Sequence, residues 1–266
     1  MSNLSEIDES NAQLLAAWKY FSRDLPAGRI EEIDGACLIS SGTQMAMLNI
    51  IALTSPARNA GDLERRARRG VERARAAGVP WFMVVSDGWS PGGDPAATAG
   101  VLTRLGFQPV LAMTGMVTDT LAPPRHDPSG LDLRRVSDAE TRAAMADINS
   151  GCYGTSIPDG RATIGHASNW TDGAFGRLGY LDGQPVCCAG TFLVDGVRYV
   201  GFVATAAEHR RKGYGEAVMR RCLDDAEQTT GARRTVLHAT DVGRPVYEAM
   251  GYRAVTRFVF FVPPQA

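Results

Sequence analysis

The chain has 266 residues, 44% of them apolar, enough to build one large or two ordinary packed cores. Its 28 basic and 29 acidic side chains leave a formal charge of −1, so the whole-molecule field gives no reason to expect nucleic acid or an anionic membrane as a partner. No apolar run approaches the roughly 20 residues of a spanning helix, and residues 1–10 hold three acids and no basic leader region, so a cytoplasmic protein is expected.

In chain order, the first half reads as a strand over 45–53, a helix over 62–77, a strand over 81–86, a helix over 96–105 and, after Gly106-Phe107, a strand over 110–118. Residues 122–130 hold three prolines and a glycine, which places a domain boundary there, with one domain over 1–125 and another over 130–266. Beyond it, strand-like segments over 177–180, 185–194 and 197–205 are joined at Asp182-Gly183 and Asp195-Gly196, a dipeptide that suits tight hairpins, and so form an antiparallel meander. A helix follows, with Val218, Met219, Cys222, Leu223 and Ala226 at helical spacing and Gly231 as its stop. Next come a strand over 235–239, a short helix with Pro245 in its first turn and Gly251 as its end, and a strand over 258–262. In that short helix Val242, Val246 and Met250 are expected as the core stripe, with Tyr247 just off it.

The two halves repeat. Residues 51–53 fall on 203–205, Arg58 on Arg210, Gly61 on Gly213, and 101–107 on 246–252, in one order and spacing, which points to a tandem duplication.

The five cysteines, Cys37, Cys152, Cys187, Cys188 and Cys222, form no CxxC pair, and Cys187 and Cys188 point to opposite faces of any strand that holds them. They read as free thiols, with no metal site. The densest chemical signal lies over 203–215, where a strand enters a loop bearing Arg210, Arg211 and Lys212, and Gly213 and Gly215 then open a helix. Missing side chains let a ligand approach the backbone, and first-turn amides with the helix dipole attract an anion. A phosphate cradle fits, and so does a solvated basic turn whose glycines serve geometry alone. GxxxxGK[ST] is absent, and Val218 stands where a dinucleotide fingerprint needs its third glycine.

The run Val203-Ala204-Thr205, four residues, then Arg210-x-x-Gly213-x-Gly215, with Val246-Tyr247-Glu248-Ala249-Met250-Gly251-Tyr252 downstream, resembles the two cofactor motifs of GNAT N-acetyltransferases. The resemblance implies two tandem GNAT-like α/β domains with mixed sheets, the first a degenerate copy. It also implies an acetyl-CoA-dependent N-acetyltransferase acting on a small-molecule amine without a metal; a non-catalytic CoA-binding or scaffold protein is the alternative. In the family, the strand at Val203, Ala204 and Thr205 pairs with pantetheine, and Arg210, Arg211, Lys212, Gly213, Tyr214 and Gly215 surround the pyrophosphate. Thr240 stands where the family carries a cofactor-contacting asparagine, and Tyr247 where it carries the tyrosine that protonates the CoA thiolate; a phenol of ordinary acidity suits that task. No glutamate on the strand over 198–205 serves as base, which leaves His238, His166, Asp172, Glu208 or a held water. The acceptor site is expected over 148–165, which holds Cys152, Tyr153 and Asp159; a homodimer stays open. In the first copy Asp62 and Leu63 replace Tyr214 and Gly215, Leu102 replaces Tyr247, and Asp62 reads as a helix N-cap. One CoA per chain is the consequence.

Overall fold

The computed structural model describes residues 5–75, 77–126 and 128–264. In chain order it comprises α1 (Glu6–Ser22), β1 (Arg29–Ile33), β2 (Ala36–Ser40), β3 (Asn49–Leu53), α2 (Ala60–Arg75), β4 (Phe82–Ser86), α3 (Pro95–Arg104) and β5 (Gln108–Thr118). There follow β6 (Asp132–Arg135), α4 (Ala139–Tyr153), α5 (Ile157–Thr163), β7 (Ala174–Leu181), β8 (Gln184–Val194) and β9 (Val197–Thr205). The chain continues through α6 (Tyr214–Thr230), β10 (Thr235–Thr240), α7 (Arg244–Ala249) and β11 (Arg253–Val262). The series β3-α2-β4-α3-β5 repeats as β9-α6-β10-α7-β11, as the duplication requires. The mixed α/β fold is the one expected. The sequence reading had not placed α1, the β1–β2 hairpin, β6, α4 or α5.

Contacts divide the chain into two compact units that are not contiguous in sequence. The first holds Met1–Gly115, Ala239–Asp241 and Ala254–Ala266, and the second holds Met116–His238 and Val242–Arg253. Residues 116–125 therefore group with the second unit and 254–266 with the first, whereas the proline-rich segment alone suggested a single cut.

The first unit explains why its last strand comes from the far end of the chain. Its sheet runs β1-β2-β3-β4-β11, with β3 and β4 parallel and β11 antiparallel to β4 from Phe258↔Ser86 to Phe261↔Met83. Phe258, Phe260 and Phe261 are 1%, 0% and 2% exposed, so this strand is core. Phe261 joins Leu38, Ile51, Leu63, Met83, Leu102 and Phe107 in one apolar cluster. At the head of α2, Asn59 rather than Asp62 takes the capping role, its Oδ1 accepting the Asp62 amide at 2.9 Å. Asp62, one turn in, reaches back to accept the Arg58 amide at 3.0 Å, a reciprocal cap. Its carboxylate, 2% exposed, is also paired with Arg66 at 2.7 Å and with Arg65. Burial alone would raise its pKa, but the Arg58 amide and the guanidinium groups outweigh that and hold it at about 2. A fixed internal anion thus stands at the place that corresponds to Tyr214, at the head of α6 in the second unit.

The second unit's sheet runs β6-β7-β8-β9-β10, and both hairpin turns have positive φ at their Asp and Gly, the geometry their sequence anticipates. Cys187 points to α6, its Sγ donating toward the Tyr214 carbonyl, while Cys188 points to the Met145 carbonyl of α4, so the two helices cover opposite faces. Burial pushes the thiols of Cys37 and Cys187 up to about 12. All five cysteines are free.

Candidate functional site

The sequence builds an irregularity into β9. Opposite Cys188 and Gly190 of β8, the paired residues of β9 are Ala204 and Gly201, so β9 carries one extra residue, and Phe202 sits in the left-handed region at φ 55°. A bulge of this kind bends the strand and re-aims its neighbours. The parallel ladder of β9 with β10 runs from Thr235↔Arg198 to Leu237↔Val200 and, among the described residues, ends there, although both strands continue. The backbone of Val203, Ala204 and Thr205 thus lies beyond the point where the strands part, held on its other side by β8.

Three side chains attend this stretch. The Tyr153 hydroxyl, at the end of α4, donates to the Val203 carbonyl at 2.8 Å. Arg210 Nε and Cys152 Sγ donate to the Thr205 carbonyl at 3.0 and 3.3 Å. Tyr153 was expected only as one residue of the acceptor region; a tyrosine that binds the strand itself carries no local sequence signal. The Cys152 bond gives that thiol a structural role.

From Thr205 the chain passes through Arg210, Arg211 and Lys212, all exposed, and enters α6 at Gly213. Arg211 has φ 60° and Gly213 φ 81°, a succession of left-handed residues that turns the chain into the 17-residue helix. No side chain caps α6, so its first-turn amides are offered outward. Gly215 keeps the approach open, since a Cβ there would meet only Thr205 Oγ1, at 3.1 Å. Gly213 serves a second purpose that the sequence reading missed: His126 packs on it, and a Cβ would lie 2.7 Å from His126 Cβ. The one acid of the first turn, Glu216, is buried and paired with Arg220 at 2.7 Å, which offsets its charge near the helix head. Amides, open backbone and three cations together fit a diphosphate.

Tyr247 lies on α7, and here the expected stripe fails. Val242 is 89% exposed and Val246 44% exposed, because Val242 precedes the six-residue helix and only Met250 turns to the core. Tyr247 is the half-buried residue of that face, its ring 6.1 Å edge-on from Tyr252. Burial of its hydroxyl, with the phenols of Tyr153 and Tyr252 nearby, pushes its pKa well above the ordinary phenol range, so the unperturbed phenol expected from sequence is not what the structure contains. Thr240, half-buried, ends β10.

Of the proposed bases, Asp172 and Glu208 are exposed, and His166 caps a short 3-10 turn by accepting from Ser168. His238 is bonded through Nδ1 to the Tyr199 hydroxyl at 3.0 Å. No group of three or more His, Cys, Asp or Glu able to hold a metal occurs among the described residues. No helix among them is long and apolar enough to cross a membrane.

Residues 142–252 match the acetyltransferase (GNAT) family. This segment is a GNAT acetyltransferase domain. The GNAT segment begins in α4 and takes in the bulged strand, the basic loop, α6 and Tyr247. A curated relative, the uncharacterized N-acetyltransferase YitH of Bacillus subtilis (strain 168), is 31% identical over 72 residues, 27% of this chain and 24% of that protein; the chain thus matches about a quarter of that relative's length. A GCN5-related N-acetyltransferase from Kribbella flavida superposes with a TM-score of 0.73 at 20% identity, covering 97% of this chain and 96% of that one. A tandem GNAT protein from the clavulanic acid biosynthesis pathway superposes at 0.57 and 16% identity, covering 97% of each chain. The tandem GNAT fold therefore extends over the first half as well.

Proposed function

We propose that the chain transfers an acetyl group from acetyl-CoA to the amine of a small-molecule acceptor by direct attack, at a single site in the second unit. The observation that carries this reading is the uncapped, glycine-opened head of α6 beside Arg210, Arg211 and Lys212, directly downstream of a strand whose ladder with β10 has ended. In this reading acetyl-CoA supplies an activated thioester carbonyl. The edge of Val203, Ala204 and Thr205 binds the pantetheine amides as an added strand would, and backbone N–H groups there stabilise the oxyanion. The amides of Tyr214 and Gly215, with Arg211 and Lys212, hold the pyrophosphate. Tyr247 donates its proton to the departing thiolate.

The Tyr153 hydroxyl donates to the Val203 carbonyl, so in this reading pantetheine competes with Tyr153 for that carbonyl. Binding of CoA without turnover is the second reading, favoured because β9 offers no carboxylate beside its bulge. A CoA-release assay with acetyl-CoA and a panel of amines, amino acids, aminoglycosides and peptides separates them. Release above the amine-free background supports transfer, whereas tight CoA binding with no release across the panel supports the second reading.

A further inference from the structure

A direct transfer needs a group to take the proton that the attacking nitrogen loses, and Asp172 and Glu208 are exposed. The last paired residues of the two strands are Val200 and Leu237; Tyr199 stands one residue before that point, paired with Val236, and His238 stands one residue beyond it on β10. Their side chains share a face. Arg198 Nη1 donates to the Leu223 carbonyl of α6 at 3.0 Å, so alternation along β9 sends Tyr199 to the opposite side, where α4 packs. There the Tyr199 hydroxyl, on a ring 2% exposed, meets His238 Nδ1 at 3.0 Å with the rings 5.7 Å apart. His238 is half-buried.

We infer that Tyr199 and His238 form the proton acceptor of the transferase, with the Tyr199 hydroxyl as the catalytic group and His238 the positioning residue that acts through it. The inference rests on the transferase reading above. As the neutral amine attacks the thioester carbonyl, the N–C bond forms and the nitrogen gives one proton to Tyr199 Oη. Tyr199 passes its own proton to His238 Nδ1, leaving an imidazolium that loses a proton to solvent. The C–S bond breaks, and Tyr247 protonates the thiolate, so one amide and one CoA thiol result; the Tyr247 phenolate regains its proton from solvent.

Burial explains why both residues are needed. It pushes the Tyr199 phenol well above its ordinary range, with Tyr247 adding to the shift, so Tyr199 does not stand as a phenolate and accepts a proton only by surrendering its own. Two phenols act near the pair: Tyr247 from α7 acts on Tyr199, and Tyr153 from α4 acts on Tyr247. His238 supplies an imidazole, a group whose ordinary value lies near 6.5.

The test uses the full chain and whichever amine of the panel it acetylates. Tyr199→Phe removes only the hydroxyl. His238→Asn places an amide oxygen near the Nδ1 position, keeping an acceptor for Tyr199 while removing the ability to take up a proton. Both should lower kcat by about 100-fold or more with KM for acetyl-CoA and CoA affinity by calorimetry unchanged, as loss of a general base does. The acidic limb of the wild-type kcat profile, where activity rises as the imidazole loses its proton, should vanish in His238→Asn. Near wild-type kcat in His238→Asn, or survival of its acidic limb, overturns the inference while leaving the transferase reading intact. CoA binding with no release by the wild-type chain overturns the transferase reading, and this inference with it.

Discussion

Replacing Tyr247 by phenylalanine isolates one proton. The ring contact with Tyr252, 6.1 Å between centroids, depends on the ring and is kept, so stability should change little. What is lost is the donor to the leaving thiolate. General acid catalysis is worth at least about 10²-fold, which is about 2.7 kcal/mol of barrier, and this should appear in kcat with KM for acetyl-CoA nearly constant. The raised pKa gives the prediction a second arm. Tyr247 acts in its protonated form, which persists at every pH below its folded value, and burial places that value well above the ordinary phenol value of about 10. The wild-type kcat should therefore show no alkaline fall up to about pH 10. Steady-state kinetics from pH 6 to 10 on both proteins tests this. Turnover of Tyr247→Phe near the wild-type rate would refute the acid role, and an alkaline limb near pH 9 that disappears in the variant would refute the argument from burial.

Two further predictions concern the first unit. Asp62→Asn removes a carboxylate held at about 2 against an ordinary 3.8, a difference worth about 2 kcal/mol, and leaves Arg66, whose side chain is 6% exposed, without its buried counter-charge. Because the folded pKa is depressed, the stabilisation is complete above about pH 4 and fades as pH falls through about 2, so urea melts of the two proteins should differ by about 2 kcal/mol at pH 7 and converge at about pH 2; equal stability at pH 7 would contradict the network. A chain cut to residues 126–266 lacks β4, which pairs with β11, and exposes Phe258, Phe260 and Phe261, each worth roughly 1.5–3 kcal/mol of burial, so it should aggregate or melt well below the full chain; a soluble fragment of full stability would show that β11 has no need of that partner.

How much of this was legible in the sequence follows from range. Turn chemistry and helical spacing are local, so the Asp-Gly hairpins, the apolar face of α6 and the glycine after it were readable. The Arg210-x-x-Gly213-x-Gly215 loop was legible because its chemistry is carried by backbone and adjacent charges. The pairing of β11 with β4 was not, since the strand's partner lies some 170 residues away and nothing in Phe258–Val262 distinguishes one sheet edge from another. The exposed Val242 and Val246 misled because a six-residue helix is too short for periodicity to define a face. The Tyr153–Val203 bond and the Tyr199–His238 pair join residues 50 and 39 positions apart, and only the bulged strand and its early-ending ladder bring them together. Gly213 was read as an opening for a ligand, but half of its reason is His126 from the linker.

The central claim is that one CoA binds per chain, at the head of α6. Titration calorimetry of CoA into the full chain and into Gly215→Val tests it directly, because the added side chain meets Thr205 Oγ1 and fills the approach to the first-turn amides while leaving the helix φ ordinary. The account predicts a stoichiometry near one for the wild type and an affinity at least about 100-fold weaker in the variant, whereas a stoichiometry near two, or unchanged affinity in a folded Gly215→Val, would contradict it.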